Sequence, residues 1–298
     1  MKGAIIMAMV VGATLGAYAN GAPDDVRKVV ESRFPGAVIK EVEQEMWKGQ
    51  SVTEVELTDK DGRNFEVLLS PGGEILSSEE EKGLPWIGGD LSLGFAMRVE
   101  REIYKDVGTE FEPAPFFLYE NGPLEILAYD GMDAWLRLLG NDWLSLKASG
   151  SILFEEGYDP DDSDYVEGMD EIGTLTYAGF QLEAVLGNWE ARLEPLQDIS
   201  GEHDGQEVGL SLFYNKIFAG FEVRPELNLT WMSSDTVDYF YGVSGKETRP
   251  DRPVYSPGSS FEVGIGMMVQ RPITESVTAI ALFEVNTVGG EIKDSPLV

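Results

Sequence analysis

From residue 89 onward, apolar residues alternate with polar or small residues in short segments that turn residues separate. The stretch WLSLKASGSILF (143–154) is typical: Leu, Leu, Ala, Ile and Phe share one face, and Ser, Lys, Ser and Ser share the other. Side chains of a strand point alternately to its two faces, so this pattern predicts strands with one apolar face. Equivalent patterns occupy 90–98, 188–196, 206–215, 221–232, 261–269 and 276–285.

Alternation alone does not decide whether the apolar face points into a soluble core or out into lipid. Strands recur across residues 89–298, which is long for one soluble sandwich, and this favours a membrane barrel. Aromatic residues near the predicted strand ends resemble the interfacial girdles of such barrels. These residues are Trp135, Trp143, Trp189, Tyr214, Trp231, Tyr239 and Tyr241. We predict an all-β antiparallel transmembrane β-barrel of about 10–12 strands, with a soluble exported β protein as the alternative.

The first 19 residues have the three parts of a signal peptide. Lys2 supplies the charge, GAIIMAMVVGATLG supplies a short apolar stretch, and Ala17-Tyr18-Ala19 matches a small-x-small cleavage site. The alternative is an N-terminal membrane anchor.

Residues 23–81 predict a small α+β domain, a helix plus antiparallel sheet. PDDVRKVVESRF has apolar positions at helical spacing, and Pro35-Gly36 ends the predicted helix. Three strand-like runs follow, AVIKEVEQEMW, SVTEVELTD and NFEVLLS, with turn signals at DKDG and SPGGE. Pro and Gly then mark 82–88 as a linker to the barrel region, 89–298.

The formal net charge is −31, with 53 acidic and 22 basic residues. This charge argues against nucleic-acid binding, because phosphate contacts need basic patches. The chain has no cysteine, which excludes thiol catalysis, disulfides and zinc–thiolate sites. No pattern in the sequence indicates a cofactor.

Charged residues on the polar faces of the predicted strands are expected in the barrel lumen. They would either tune a conducting pore or pair with one another in a closed lumen. These residues are Lys147, Glu190, Arg192, Glu194, Glu222, Arg224 and Glu226.

Two loops carry side chains with potential chemistry. His203 is the only histidine; with Ser200 and Asp198 or Asp204 it could form a hydrolase triad, but a polar turn residue is the simpler interpretation. In the acidic run 159–171, Asp159, Asp161 and Asp170 are weak calcium candidates. The run lacks the glycine and the final glutamate of the standard calcium loop.

Several motifs of the second region resemble the MipA/OmpV family of MltA-interacting outer-membrane proteins over residues 88–298. They include SSDTVDYFYGVS, RPVYSPGSSFEVGIGM, PAPFFLYENGPLEILAYDG and EIKDSPLV. The family-signature loop comprises Asp238, Tyr239, Phe240, Tyr241, Gly242, Val243 and Tyr255. The closing motif comprises Asp294, Ser295, Pro296 and Leu297.

The resemblance implies a barrel in the outer membrane that acts as an envelope scaffold or channel-like protein. It also implies a link to a murein lytic transglycosylase and a peptidoglycan synthase, and it supplies no catalytic residues. We expect the aromatic loop to plug the barrel mouth or to lie at the lipid interface. Residues 23–81 resemble a PepSY-like domain, which implies a small periplasmic binding or inhibitory module.

Two features depart from the usual family pattern. The chain stops at Val298, without a final strand, so we expect the barrel to lack its last strand; the PepSY-like unit makes the chain a fusion. The function predicted from sequence is a scaffold or interaction protein and not an enzyme. A small-solute channel is the second hypothesis and an outer-membrane hydrolase is the third.

Overall fold

The computed structural model describes residues 5–12, 24–47, 50–60, 63–80, 90–129, 131–141, 143–154, 157–274 and 277–298. The chain divides into two compact units, residues 15–90 and residues 1–14 together with 91–298. No helix among the described residues is long and apolar enough to span a bilayer.

The first strand along the chain, β1 (Ile5–Gly12), belongs to the larger unit. The smaller unit follows, with helix α1 (Asp24–Arg33) and an antiparallel sheet in the order β2-β3-β4-β5. Its strands are β2 (Val38–Trp47), β3 (Gln50–Thr58), β4 (Asn64–Leu69) and β5 (Ile75–Glu80).

Helix α1 buries its apolar stripe in the core of this smaller unit. Val26 and Val30 lie in one cluster with Val55, Leu57 and Val67, and each is less than a tenth exposed. The predicted helix and antiparallel sheet are confirmed. The sequence prediction was one strand short, because ILSSEE in β5 lacks alternation.

The described residues of the larger unit form twelve further strands and two short helices. The strands are β6 (Asp90–Arg101), β7 (Thr109–Asn121), β8 (Leu124–Ala128), β9 (Met132–Gly140), β10 (Leu144–Leu153), β11 (Leu175–Leu186), β12 (Trp189–Asp198), β13 (Gln206–Tyr214), β14 (Lys216–Phe218), β15 (Phe221–Met232), β16 (Ser260–Thr274) and β17 (Val277–Val288). The helices are α2 (Ser234–Tyr241) and α3 (Gly290–Lys293).

Most strands from β6 to β17 pair with the strand next in sequence, as in an up-and-down barrel. β13 also pairs with β15, while short β14 only extends one edge of β15. Strand β1 lies between β17 and β6, and the ring of twelve strands is therefore closed. The predicted antiparallel barrel is confirmed.

Strand β1 decides how the ring closes. It runs antiparallel to both neighbours, with Met9 opposite Ala281 on one side and Met97 on the other. β6 and β17 therefore run in the same direction and would meet as a parallel pair without it. β1 lies within the predicted signal peptide, whose other residues are outside the described ones, as is the linker 82–88. Signal-peptide cleavage and the absence of a last strand stay predictions. Because cleavage would remove β1, the closed ring described here is that of the uncleaved chain.

The apolar faces of the strands point outward. On β15, Leu227, Leu229 and Trp231 are each at least two-fifths exposed, while Arg224 and Glu226 line an internal cavity. On β10, the serines at 145, 149 and 151 are buried. This apolar-out, polar-in arrangement is that of a membrane barrel, so the soluble alternative was wrong.

The aromatic girdle is smaller than predicted. Trp143, Trp189 and Trp231 are exposed on the outside. Trp135 is not part of it, because its indole N–H donates to Glu194, a residue of the polar face, at 3.0 Å. Tyr239 and Tyr241 pack in a loop core instead.

The two ends of the barrel differ. One end has tight connections such as 122–123 and 187–188 and is called here the short-turn end. The other, the long-loop end, carries 102–108, 157–174, 199–205, 233–259 and the terminal segment 289–298. In outer-membrane barrels the long loops are extracellular and the short turns periplasmic.

Barrel assembly should depend on Gly179 in β11. A Cβ atom there would collide with the carbonyl oxygen of Pro195 on the neighbouring strand β12. We expect Gly179→Ala to abolish the fast-migrating band that a folded barrel gives on unheated gels. Gly209→Ala is the matched control, because its Cβ would find Glu194 O at 3.8 Å, an ordinary contact. Equal folding of the two variants would contradict this account.

Candidate functional site: the capped lumen

The loops of the long-loop end pack into an ordered cap with its own apolar core. Its side chains are less than a tenth exposed. They are Tyr104, Tyr158, Tyr165, Val166, Met169, Ile172, Leu175, Tyr177, Phe240, Val243 and Leu297. A second cluster contains Met232, Val237, Val288, Ile292 and Val298. Burial of so many large side chains in loops means that the cap is a folded part of the barrel mouth.

The segment after β15 was predicted to be a loop, and the prediction was wrong for its first part. It forms helix α2, for which Ser233 is the N-cap residue and accepts a hydrogen bond from the N–H of Thr236 at 3.4 Å. At the other end, Gly242 N–H donates to Asp238 O at 2.8 Å, and a Cβ at Gly242 would collide with that oxygen. The Ser-Ser-Asp-Thr start was a helix signal that the aromatic content concealed.

The structure brings the family-signature loop and the closing motif together. The Ser295 hydroxyl donates to Tyr241 O at 2.7 Å and accepts from the N–H of Leu297 at 3.1 Å. Leu297 O in turn accepts from the N–H of Lys105 at 2.7 Å. The Lys105 ammonium donates to Pro296 O at 3.0 Å. The aromatic loop was expected either to plug the barrel mouth or to lie at the lipid interface. It packs with the other loops at the barrel mouth.

The other signature residues have related positions. Phe240 and Val243 are buried in the cap core, and Tyr239 and Tyr255 pack against it. The Tyr255 hydroxyl donates to the carbonyl of Glu291 at 2.7 Å, which ties the loop to α3. Asp294 follows α3 as its C-cap, and its N–H donates to Gly290 O at 2.8 Å.

Arg252 is the buried polar centre of the cap, and the sequence prediction missed it. It is 1 % exposed, and its guanidinium donates to the carbonyls of Glu247, Tyr165 and Glu167, the first at 3.0 Å and the last at 3.2 Å. The side chain thus joins the 157–174 and 233–259 loops. In sequence it is an arginine between two prolines in a loop, with no signal of burial.

His203 lies in a turn whose hydrogen bonds differ from those of a triad. The Ser200 hydroxyl donates to Asp198 at 2.5 Å, but the His203 ring contacts neither residue through its nitrogens. Its Nδ1 accepts from Gly205 N–H at 2.9 Å, so in the neutral ring Nε2 carries the proton and donates to Tyr177 at 3.0 Å. The Tyr177 hydroxyl in turn donates to Glu207 at 3.1 Å.

The pKa of His203 is lowered. Burial disfavours its charged form, and the neighbouring carboxylates, led by Asp198 and Asp204, offset this only in part. His203 is therefore a neutral link in the cap rather than a paired cation.

The calcium candidates are spread over the acidic loop. Asp159 accepts from the N–H of Asp161 at 2.8 Å, whereas Asp170 forms an ion pair with Lys246. Among the described residues, no group of three His, Cys, Asp or Glu side chains has a metal-holding arrangement. Calcium binding here stays a prediction.

Most of the predicted lumen charges form ion pairs, either within one strand or between strands. Arg192 contacts Glu190 at 2.5 Å and Glu183 at 3.4 Å, and Arg224 contacts Glu190 at 3.4 Å. Lys147 contacts Glu183 at 3.2 Å.

The remaining predicted acids bind neutral donors. Glu194 accepts from Trp135, and also from Ser149 and Gln181. Glu222 accepts from Gln270 at 2.5 Å, and Glu226 accepts from the Asn228 amide at 3.4 Å.

Within the lumen, a cavity of about 590 Å³ remains open. Its lining residues come from β9, β12, β13, β15, β16, β17 and the end of β8. They are Leu127, Tyr129, Asp133, Arg192, Ser211, Phe213, Arg224, Glu226, Asn228, Thr230, Glu262, Gly264, Met268, Leu282 and Glu284. The size suits a small solute.

The family model described as MltA-interacting protein MipA matches residues 93–298, which is most of the chain and includes the cap and almost all of the barrel. The chain belongs to this family. The match leaves the smaller unit outside, so its PepSY-like character stays a prediction.

Curated relatives carry corresponding names. Outer membrane protein Omp26La of Vibrio anguillarum and outer membrane protein OmpV of Vibrio cholerae serotype O1 are each 26% identical over 141 residues, which cover 47% of this chain. The aligned part spans 55%, about half, of the length of either relative. MltA-interacting protein of Escherichia coli strain K12 is 24% identical over 241 residues, covering 78% of this chain and 92% of that one.

Family, fold and relatives agree on the location. This member of the family is a β-barrel of the outer membrane. The names of these relatives describe interacting or outer-membrane proteins and not enzymes.

Loss of Arg252 should open the cap. In Arg252→Met the three carbonyls would lose their donor, at a cost of about 3 kcal/mol, and the opened population would rise about a hundredfold. We expect chymotrypsin to cleave the 157–174 and 233–259 loops much faster. Lys246→Met is the control, because this exposed side chain pairs only with an exposed carboxylate. Equal cleavage of both variants would contradict a central role for Arg252.

The cap should weaken on mild acidification because of His203. Its pKa is lower in the folded protein than the unfolded value of about 6.5. Its contribution to stability is therefore present above that pH and lost as the pH falls through the folded pKa. The near-UV circular dichroism of the cap tyrosines reports thermal unfolding of the cap. We expect its midpoint temperature to fall more between pH 7.5 and 5.5 in wild type than in His203→Gln. An equal fall would show that other groups are responsible.

Proposed function

We propose that the protein is an interaction protein, a scaffold of the cell envelope that binds a murein transglycosylase, and that it is not an enzyme. The observation that carries this proposal is the folded cap. It occupies the mouth of the barrel with buried aromatic side chains, including Phe240 and Tyr177. A barrel whose mouth is closed in this way lacks the open passage that a channel needs. The transglycosylase would be bound on the periplasmic side, where the short-turn end lies.

The name of the Escherichia coli relative supports the choice of partner. A peptidoglycan synthase is a second proposed partner, bound on the periplasmic side. The smaller unit is proposed to be a periplasmic PepSY-like module that takes part in such contacts. Its core of Val26, Val30, Val55 and Leu57 is that of a folded domain.

A small-solute channel is the second candidate function, and the lumen cavity favours it. Against it stand the cap and the ion pairs of Arg192 and Arg224. The hydrolase hypothesis has less support, because the ring nitrogens of His203 bind Gly205 and Tyr177 and not Ser200.

The scaffold proposal is tested by retention of a partner on the full-length protein. We expect the folded barrel, immobilised in detergent, to retain a purified murein transglycosylase, and a boiled sample of the same protein to retain none. In planar bilayers we expect no stepwise conductance from the same preparation. Retention by neither sample would refute the scaffold, and conductance without retention would favour the channel.

A further inference from the structure

The lumen cavity has two walls of different chemistry. One wall is apolar and comprises Leu127, Tyr129, Met268 and Leu282. The other wall, on β15, β16 and β17, presents the carboxylates of Glu226, Glu262 and Glu284. We refer to these three residues as the acidic wall.

The arginines of the cavity are already engaged elsewhere. Arg192 and Arg224 share Glu190, and both guanidinium groups lie over the ring of Phe213, at 5.0 and 3.9 Å from its centroid. Within the described part of the chain, no basic nitrogen lies within 4.0 Å of a carboxylate oxygen of the acidic wall. Arg224 and Arg192 thus offset the charge of Glu226 only at longer range, and Glu262 and Glu284 have no such basic neighbour in the described part of the chain.

Neutral donors supply only part of what the acidic wall can accept. The amide of Asn228 reaches both Glu226 and Glu284, at 3.4 Å each, and Asn286 also forms a side-chain hydrogen bond to Glu284. Each carboxylate has room for about four hydrogen bonds, so acceptors exceed donors at this wall.

Two buried acceptors next to the acidic wall lack a donor as well. Ser260 lies two residues before Glu262 on β16, is 4 % exposed, and its hydroxyl oxygen has no hydrogen-bond partner. The amide oxygen of Asn286 also has no hydrogen-bond partner. It lies over Gly264, a cavity-lining residue of the neighbouring strand β16. Buried acceptors without donors are costly. A donor-rich ligand in the cavity would relieve that cost at Asn286, whose oxygen lies beside Glu284 over Gly264, whereas the Ser260 hydroxyl lies against Gly289.

Two glycines of β16 leave room for the carboxylates of the acidic wall. Any Cβ at Gly264 would collide with Glu284 and Asn286, and any Cβ at Gly266 would collide with Glu226. β16 therefore carries no side chain at the two positions where the carboxylates lie. The glycines allow the acidic wall to reach the cavity.

We propose that this cavity binds a small amphiphilic organic cation, an alkylammonium or arylammonium ion. Its ammonium group donates to the acidic wall, and its hydrocarbon part lies against the wall of Leu127, Tyr129, Met268 and Leu282. An ammonium group has three donors and one positive charge, which match the surplus of acceptors and of negative charge. The apolar wall selects against bare metal ions and strongly hydrated cations. The site lies inside the barrel and is independent of the proposed scaffold role.

The test uses purified full-length protein in detergent and calorimetric titration with three probes of similar shape: benzylammonium, benzyl alcohol and benzoate. We expect benzylammonium to bind and the neutral and anionic probes not to bind. In Glu262→Gln/Glu284→Gln the affinity for benzylammonium should fall about tenfold or more, because two charge-assisted hydrogen bonds are lost. Glu74→Gln/Glu171→Gln is the control, since it removes the same charge from exposed positions outside the cavity.

Each other outcome counts against the proposal. Equal binding of benzyl alcohol would mean that the apolar wall alone suffices. Unchanged binding in Glu262→Gln/Glu284→Gln would place the cation elsewhere, provided that the variant still gives the fast-migrating folded band. Displacement of benzylammonium by equimolar calcium would indicate a metal site instead. Transglycosylase retention by the same variant should be unchanged, so failure of this site and failure of the scaffold are distinguishable.

Discussion

Inside a bilayer there is no water to satisfy backbone N–H and C=O groups, so each strand needs a paired neighbour on both sides. That constraint accounts for the closed ring of this barrel and for the importance of its seam. β6 and β17 run in the same direction, and β1 lies antiparallel between them. The strand that occupies this position determines whether the ring can close with antiparallel pairs throughout, and every inward-facing side chain depends on that closure.

The outer face of the closed ring contacts lipid and must be apolar. The polar side chains of each strand therefore point into the lumen. The protein handles them in two ways. Arg192 and Arg224 form ion pairs around Glu190, which neutralises charge where water is scarce. Glu226, Glu262 and Glu284 line the same cavity as these arginines and lie beside an apolar wall. The lumen therefore combines structural ion pairs with carboxyl groups that have spare capacity to bind a ligand.

The cap applies the principles of a soluble core to the mouth of a membrane barrel. Aromatic side chains such as Tyr104 and Phe240 bury large areas, and Arg252 satisfies backbone carbonyls that burial would otherwise leave without donors. The closing motif, through Ser295 and Leu297, binds the signature loop and the 102–108 loop. A sealed mouth of this kind argues against an open passage through the barrel.

The sequence by itself determined the family and most of the strands, because several motifs occur in the family's order and alternation over ten residues has a period that only a strand satisfies. It did not show β5, which lacks alternation, or β1, which lies within the predicted signal peptide. It also indicated that 233–260 is unusual, but not that Ser233 starts a helix there, since local helix signals compete with aromatic content. Tertiary structure alone decided which face of each strand points into the lumen and which points outward, because the alternation is the same for both orientations. It alone placed Trp135 beside Glu194 and Arg252 against three carbonyls, and it gathered Glu226, Glu262 and Glu284 at one cavity. Those contacts join residues far apart in the chain, and their distances are set by ring closure rather than by any local pattern.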